Sequence, residues 1–413
     1  MDGVAGDRER GRLKLGWARD HMAVLGEIRD RFERERPFDG LTVSMVLHVE
    51  AKTGVLALAI QAGGARVHLA AGNPLSTDDD VVGVLSDAGI AMHARKGESV
   101  AEFTAGVAAV LDADPDVIVD DGADLVVLAH TARPDRGRIR GSTEETTTGV
   151  TRLRALERSG RLRFPAIDVN DAKMKSLFDN RFGCGQSVLD GLFGATNLLI
   201  AGRTCVVAGY GWVGKGVASR LRGLGGEVVV TEVDPVRAIE ARLEGFRVEP
   251  MLDAAKEADL IVTTTGNRDI VRAEHFRVLK DGCLLANAGH FDVEINLPDL
   301  AGLATDRRIA RPGVEEFTFP DGRRAYVLAE GRLINLATGQ GHPVEIMDLS
   351  FALQALSAEF VATRGRSLPP KVYPVPPELD LAVARAALRP LGARLDEPTE
   401  AQRKYAESWE LGT

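Results

Sequence analysis

At 413 residues, with 45% hydrophobic and 27% charged side chains, the chain has room for two or three domains of about 150 residues each. That composition excludes disordered, collagen-like and disulfide-stapled classes. Fifty-one Lys and Arg against 60 Asp and Glu leave a net charge of −9, which argues against a general binder of nucleic acid or of an anionic membrane.

In chain order, MDGVAGDRERGRLKLGW carries no apolar core and is not expected to be a secretory signal. LTVSMVLHV reads as a strand, KTGVLALAIQAGG as a helix ending in glycines, and ARVHLAAG as a second strand. VVGVLSDAG, VAAVLDAD and DVIVDDGADLVVLAH continue the rhythm, which predicts βαβ units and a parallel sheet. The polar stretch TARPDRGRIRGSTEETTTG is expected to be a functional loop. A second α/β run begins near residue 204: strands TCVVAGYG, EVVVTEVDP, DLIVTTTG and GCLLANAG, with helices WVGKGVASRLRGLG and PVRAIEARLEGF between the first three. EIMDLSFALQALSAEFVAT reads as a further helix, LPPKVYPVPPELD as an extended linker, and the rest as a polar tail. No uncharged apolar run approaches the roughly 20 residues of a membrane helix. Three cysteines, none in a CxxC pair, support neither a disulfide framework nor a zinc ribbon. A cytosolic enzyme without a metal site is expected.

The sharpest local signal is Gly209-Tyr-Gly211-Trp212-Val213-Gly214, between a strand and a helix. In that context GxGxxG cradles a dinucleotide pyrophosphate: Gly209 for the turn, Gly211 for backbone approach, Gly214 for helix–strand packing. Glu232, 18 residues beyond Gly214 at the end of the next strand, suits a ribose 2′-OH. Val233 and Asp234 follow it in place of arginines, so NAD is expected over NADP.

Several segments then converge. LHVEAKT (47–53), NPLSTDDD (73–80), DDGAD (120–124), GSTEETTTGV (141–150), PAIDVNDAKMKSLFDNRFGCGQS (165–187), VVAGYGWVGKG (206–216), TTTGN (263–267), NAGHFDVEI (287–295), AEGRLINL (329–336) and GHPVEIMDLSFALQAL (341–356) resemble S-adenosylhomocysteine hydrolase, in order along essentially the whole chain. The form without the internal insertion is similar to the archaeal and thermophilic-bacterial branch. The resemblance implies an α/β fold: a Rossmann NAD domain over 181–340, a larger discontinuous substrate domain over 1–180 and 341–375, and a tail over 376–413 serving oligomer contacts. It implies one tightly bound NAD per subunit, a nucleoside thioether substrate, and a homotetramer or homodimer. Family chemistry oxidises the nucleoside 3′-OH, removes the acidified C4′ proton, eliminates homocysteine from C5′, adds water, and returns the hydride, so the net reaction is hydrolysis.

By that resemblance Lys175 and Asp179 meet the ribose hydroxyls, Lys175 assisting deprotonation of the 3′-OH with a depressed pKa. Asp121 handles the C4′/C5′ proton, His48 lies beside the leaving thiol, and Glu145 and His290 are further polar groups around the ribose. Thr146, Thr147, Thr148 and Asn180 reach NAD from the substrate side, Asn335 meets the nicotinamide carboxamide, and Asn267, Ala288 and Gly289 complete the cofactor set. Cys184 lies near the nicotinamide; with no partner base evident in the sequence, it reads as packing or redox tuning. Thr77, Asp78 and His342 join the substrate set. Asp120, Asp121 and Asp124 could be read as a metal cluster, but no His/Cys spacing supports one.

Three departures stand out. Where longer members carry Thr and Glu, this chain has Glu50 and Lys52. An ammonium only donates, so Lys52 suits the C6 oxygen of hypoxanthine better than the adenine amino group, unless it turns toward Glu50. Asp78 replaces a usual glutamine; near the substrate mouth it would disfavour homocysteine's carboxylate and suit a paralogue with another nucleophile. The C-terminus has Lys404 and Tyr405 but not the longer members' motif, which predicts altered cofactor retention.

Overall fold

The computed structural model describes residues 6–132 and 138–409; residues 133–137 of the expected loop and the last four of the tail lie outside them. Two sheets organise the molecule. The first is wholly parallel. Its strands are β1 (Thr42–Leu47), β2 (Arg66–Ala71), β3 (Ala91–His93), β4 (Val117–Asp120), β5 (Gly141–Glu144) and β6 (Ala166–Asp168). The second contains β7 (Thr204–Ala208), β8 (Glu227–Thr231), β9 (Arg247–Val248), β10 (Leu260–Thr263), β11 (Cys283–Asn287), β12 (Asp306–Arg311), β13 (Val314–Thr318) and β14 (Arg324–Leu328). A last strand, β15 (Val372–Pro374), returns to the first sheet, giving the order β15-β6-β5-β4-β1-β2-β3. The second runs β12-β13-β14-β11-β10-β7-β8-β9.

Central strands such as TVSMVL are buried along their whole length, as expected where helices cover both faces of a parallel sheet. Across one face of the first sheet lies helix Val344–Arg364. Its length and composition alone would let it cross a membrane, yet Phe351, Ala352, Leu353 and Ala355 pack into the sheet's core cluster with Met45, Val119 and Ile167. In both sheets the site-bearing loops leave the carboxyl ends of the strands, where open α/β sheets bind ligands.

Four expectations need correction. The polar stretch GSTE is strand β5, fully buried; Glu144 Oε1 accepts the amides of Gly122 and Thr146, while the Ser142 and Thr143 hydroxyls have no partner among the described residues. The Pro-rich linker contains β15, which pairs in parallel with β6; Pro374 is acceptable because the strand is at an edge. Helix Pro377–Leu388 follows it, within the expected tail. The antiparallel turn-back β12–β13–β14 was not anticipated, because its charged sequence hides the alternation.

Candidate active site

One cavity of about 1100 Å³ joins the strand ends of both sheets. On the second sheet, the turn after β7 needs Gly209 at φ +95°, a conformation open to glycine. A Cβ on Gly214 would stand 2.0 Å from the Gly209 carbonyl oxygen, so close helix–strand contact requires glycine there. Gly214 does not line the cavity; Gly209, Gly211, Trp212 and Val213 do. Helix Trp212–Gly223 starts at Gly211 with no side-chain cap, leaving amide donors and the positive dipole end for a phosphate. Glu232 lines the cavity and also braces the turn: its carboxylate accepts from the amides of Tyr210 (2.7 Å), Val233 (2.7 Å) and Asp234 (3.0 Å). Thr264, which sequence reasoning missed, donates to the Ala208 carbonyl at 2.7 Å.

Asn335 is buried; its amide nitrogen donates to Ser187 Oγ at 3.2 Å, while its carbonyl oxygen has no partner among the described residues. An orphaned buried carbonyl costs about 1–3 kcal/mol unless a ligand N–H fills it, and a carboxamide would. Ala288, Gly289 and His290 follow β11, and Asn267 lies on the neighbouring loop. Buried Asn287 holds that turn by donating to the carbonyls of Phe291 and Gly331 (both 2.9 Å) and accepting from the Gly289 amide (2.7 Å).

On the first sheet, His48 follows β1, Asp121 follows β4 and Glu145 follows β5. His48 Nε2 is 3.5 Å and His290 Nδ1 is 3.7 Å from the two Asp121 oxygens. His48 Nδ1 meets Ser76 Oγ at 2.6 Å, and burial pushes the imidazole down to about 4, so it is neutral near pH 7. Asp120 instead turns to the amides of Asp121 and Val126, and Asp124 pairs with Arg152 at 2.6 Å.

A second cluster faces the first. Lys175 Nζ lies 2.9 Å from Asp179 Oδ1, 2.7 Å from Asn180 Oδ1 and 3.9 Å from Glu145 Oε1. Burial disfavours the ammonium, but Asp179 and Glu145 outweigh it and hold the lysine above its usual value. The expected depression is therefore wrong: the side chain sits among acceptors, not cations. Burial also raises Glu145, to about 8. Asp179 is held below the usual carboxylate range, because His342 and Lys175 overcome its own desolvation.

The second correction concerns Cys184. Its Sγ lies 3.2 Å from His342 Nε2, and His342 Nδ1 is 2.8 Å from Asp179 Oδ2. The cysteine does have an imidazole partner, supplied 158 residues downstream. Thr77 and Asp78 are the third: neither lines the cavity. Asp78 caps helix Asp79–Asp87 and pairs with Lys14 at 2.6 Å, and Thr77 Oγ1 is buried without a partner among the described residues. Thr146, Thr147, Thr148 and Asn180 do line it, together with Asn170, whose Oδ1 accepts from Asn180 and Thr147.

Lys52 lines the cavity beside Gly341 and Met347. Its ammonium meets the Gln340 carbonyl at 2.8 Å and Glu50 Oε2 at 2.9 Å. Glu50 spends its carboxylate on the amides of Lys52 and Thr53, capping helix Ala51–Ala62.

Comparison with known families decides what this arrangement belongs to. The S-adenosyl-L-homocysteine hydrolase model matches residues 5–136, and the NAD-binding domain model of the same enzyme matches 180–341. The chain belongs to the S-adenosyl-L-homocysteine hydrolase family. It is therefore a hydrolase with an NAD-binding Rossmann domain. It is 55% identical to the S-inosyl-L-homocysteine hydrolase of Methanopyrus kandleri, over 98% of this chain and 96% of that one. It is 53% identical to the adenosylhomocysteinase of Archaeoglobus fulgidus (97% and 99%) and 51% to the S-inosyl-L-homocysteine hydrolase of Methanocaldococcus jannaschii (98% of each).

Proposed function

We propose that this enzyme reversibly hydrolyses a purine nucleoside thioether of homocysteine, and that S-inosyl-L-homocysteine is preferred to its adenosyl analogue. Relatives with either name are nearly equally similar, so the base must be argued from the pocket. The observation that carries the preference is Lys52: its ammonium does turn toward Glu50 and the Gln340 carbonyl, but these engage only two of its three donors and the third remains, whereas Glu50 also caps its own helix. The pocket therefore offers a 6-position substituent a donor, which suits a 6-oxo purine.

Gly209–Val213, Glu232 and Asn335 would hold NAD, which when bound would supply reversible oxidation at the ribose 3′-carbon. Lys175, kept cationic by Asp179 and Glu145, holds the 3′-oxygen and stabilises negative charge there as the hydroxyl proton passes to the adjoining Asp179 carboxylate, 2.9 Å from the ammonium. Asp121 carries the C4′ proton between His48 and His290, and neutral His48 takes a proton from the incoming water or thiol. Glu145 and Asp179 grip the vicinal hydroxyls. Asp78, neutralised by Lys14 and turned from the cavity, gives no reason for a nucleophile other than water or homocysteine. Apolar side chains left exposed in the tail, Leu391, Leu395 and Trp409, support a homodimer or homotetramer.

The test is mass-spectrometric product analysis of NAD-loaded enzyme supplied with homocysteine and equal inosine and adenosine. Thioether should form, mostly from inosine. Thioether mainly from adenosine would overturn the base assignment, and none from either would overturn the reaction.

A further inference from the structure

Helix Val344–Arg364 carries three fully buried polar residues on one face, Ser350, Gln354 and Ser357. Two hydroxyls and the Gln354 carbonyl oxygen lack any partner among the described residues. An apolar core helix gains nothing from such groups, since each costs about 1–3 kcal/mol when left unpaired. One contact explains the glutamine. Gln354 Nε2 donates to Glu145 Oε2 at 2.7 Å, across 209 residues of sequence. The other oxygen of that carboxyl, Oε1, is buried without a hydrogen bond, lines the cavity, and lies 3.9 Å from Lys175 Nζ. Fixing Oε2 fixes Oε1, so the amide aims one free oxygen at the place where Lys175 and Asp179 present the other half of a diol-binding edge.

We infer that Gln354 is a positioning residue that holds Glu145 for the ribose 2′-hydroxyl, and so sets discrimination between ribo- and 2′-deoxyribonucleosides. This rests on the function proposed above, with the 3′-hydroxyl at Lys175. A 2′-deoxynucleoside keeps the hydroxyl that is oxidised but leaves Glu145 Oε1 orphaned, and a site built around a hydroxyl rejects the analogue lacking it. Without the amide, Glu145 is free to turn, and the penalty for the missing hydroxyl shrinks.

The experiment follows NAD reduction in NAD-loaded enzyme on adding inosine or 2′-deoxyinosine. It compares the native chain with Gln354→Met, which keeps volume and loses the amide, and Gln354→Asn, which keeps the amide and loses its reach. Thermal melting and NAD occupancy identify folded variants; should the methionine variant not fold, the asparagine variant carries the test. The expected result is a fall of about tenfold in the ribo/deoxy ratio of kcat/KM, with the deoxy substrate itself changed less than about twofold. An unchanged ratio in a folded variant, or an equal loss on both substrates, would overturn the inference. Failure of the native enzyme to reduce NAD with inosine would instead overturn the underlying function, so the two failures are distinguishable.

Discussion

The two walls of the cavity are built differently. The cofactor wall has a contiguous nucleus, the turn of six residues after β7, the helix start and the carboxylate after β8, to which the loops after β10 and β11 and Asn335 are added. The nucleoside wall is assembled from the ends of β1, β4 and β5, the segment around 170–184, and the start of a helix near residue 344. In a local site each residue answers to its own backbone: Gly214 to the Gly209 carbonyl, Glu232 to the Tyr210 amide. In a composite site each residue answers to charges brought from elsewhere, so charge state there is a property of the fold. Lys175 shows the consequence: its proton affinity is set by Glu145, just past the end of β5, as well as by Asp179 one turn away.

The difference can be probed from its largest effect downward. Lys175→Met should cut NAD reduction by nucleoside about 10³-fold while leaving NAD content unchanged, as a single-turnover absorbance trace and cofactor extraction would show; loss of NAD as well would mean that the walls are not separable. Next comes pH. The folded value of Glu145, about 8, lies above its ordinary 4.5, so its contribution to stability is complete below about 4.5 and is lost as pH rises through about 8. Glu145→Gln should therefore flatten the decline in apo-enzyme unfolding free energy between pH 5 and 8 by on the order of a few kcal/mol, measured by denaturant titration at each pH. Some slope should persist, because burial holds Asp120 at about 8 as well; an unchanged slope would assign the titration elsewhere.

On the local wall, Gly214→Ala must displace the Gly209 carbonyl and should lower stability by about 1–3 kcal/mol and weaken NAD binding, measured by denaturation and calorimetry. Lys52→Met should reduce the inosine/adenosine ratio about tenfold, one hydrogen bond to a charged donor; an unchanged ratio would mean that Lys52 serves only Gln340 and Glu50. Smallest is Asp78→Gln, which should leave thiol-partner preference unchanged and cost about 1 kcal/mol in stability through the weakened cap and the lost Lys14 pair.

How much could be read in advance follows the same division. The glycine turn, Glu232 and the apolar parallel strands at the centre of both sheets are written in contiguous pattern, so composition and spacing find them, whereas the charged β12–β13–β14 escapes. β5 defeats that reading because Ser142, Thr143 and Glu144 are polar yet wholly buried, and β15 because prolines disguise an edge strand. On the nucleoside wall, family resemblance supplied His48, Asp121 and Lys175, but no local rule pairs Cys184 with His342 or Glu145 with Gln354. Asp78 misled for the opposite reason: its motif neighbours are near the site, but its carboxylate is drawn away by Lys14 on an N-terminal helix whose role the sequence did not disclose.

The central claim is that the two walls act on one substrate, oxidation at the first serving cleavage at the second, with no net consumption of cofactor. The direct measurement is mass spectrometry of the thioether formed from inosine deuterated at C3′ and unlabelled homocysteine on NAD-loaded enzyme. The account predicts that most of the deuterium is found again at C3′ of the product while NAD content stays constant over many turnovers. Thioether formed with the label lost, or with NAD consumed in proportion to product, would contradict it.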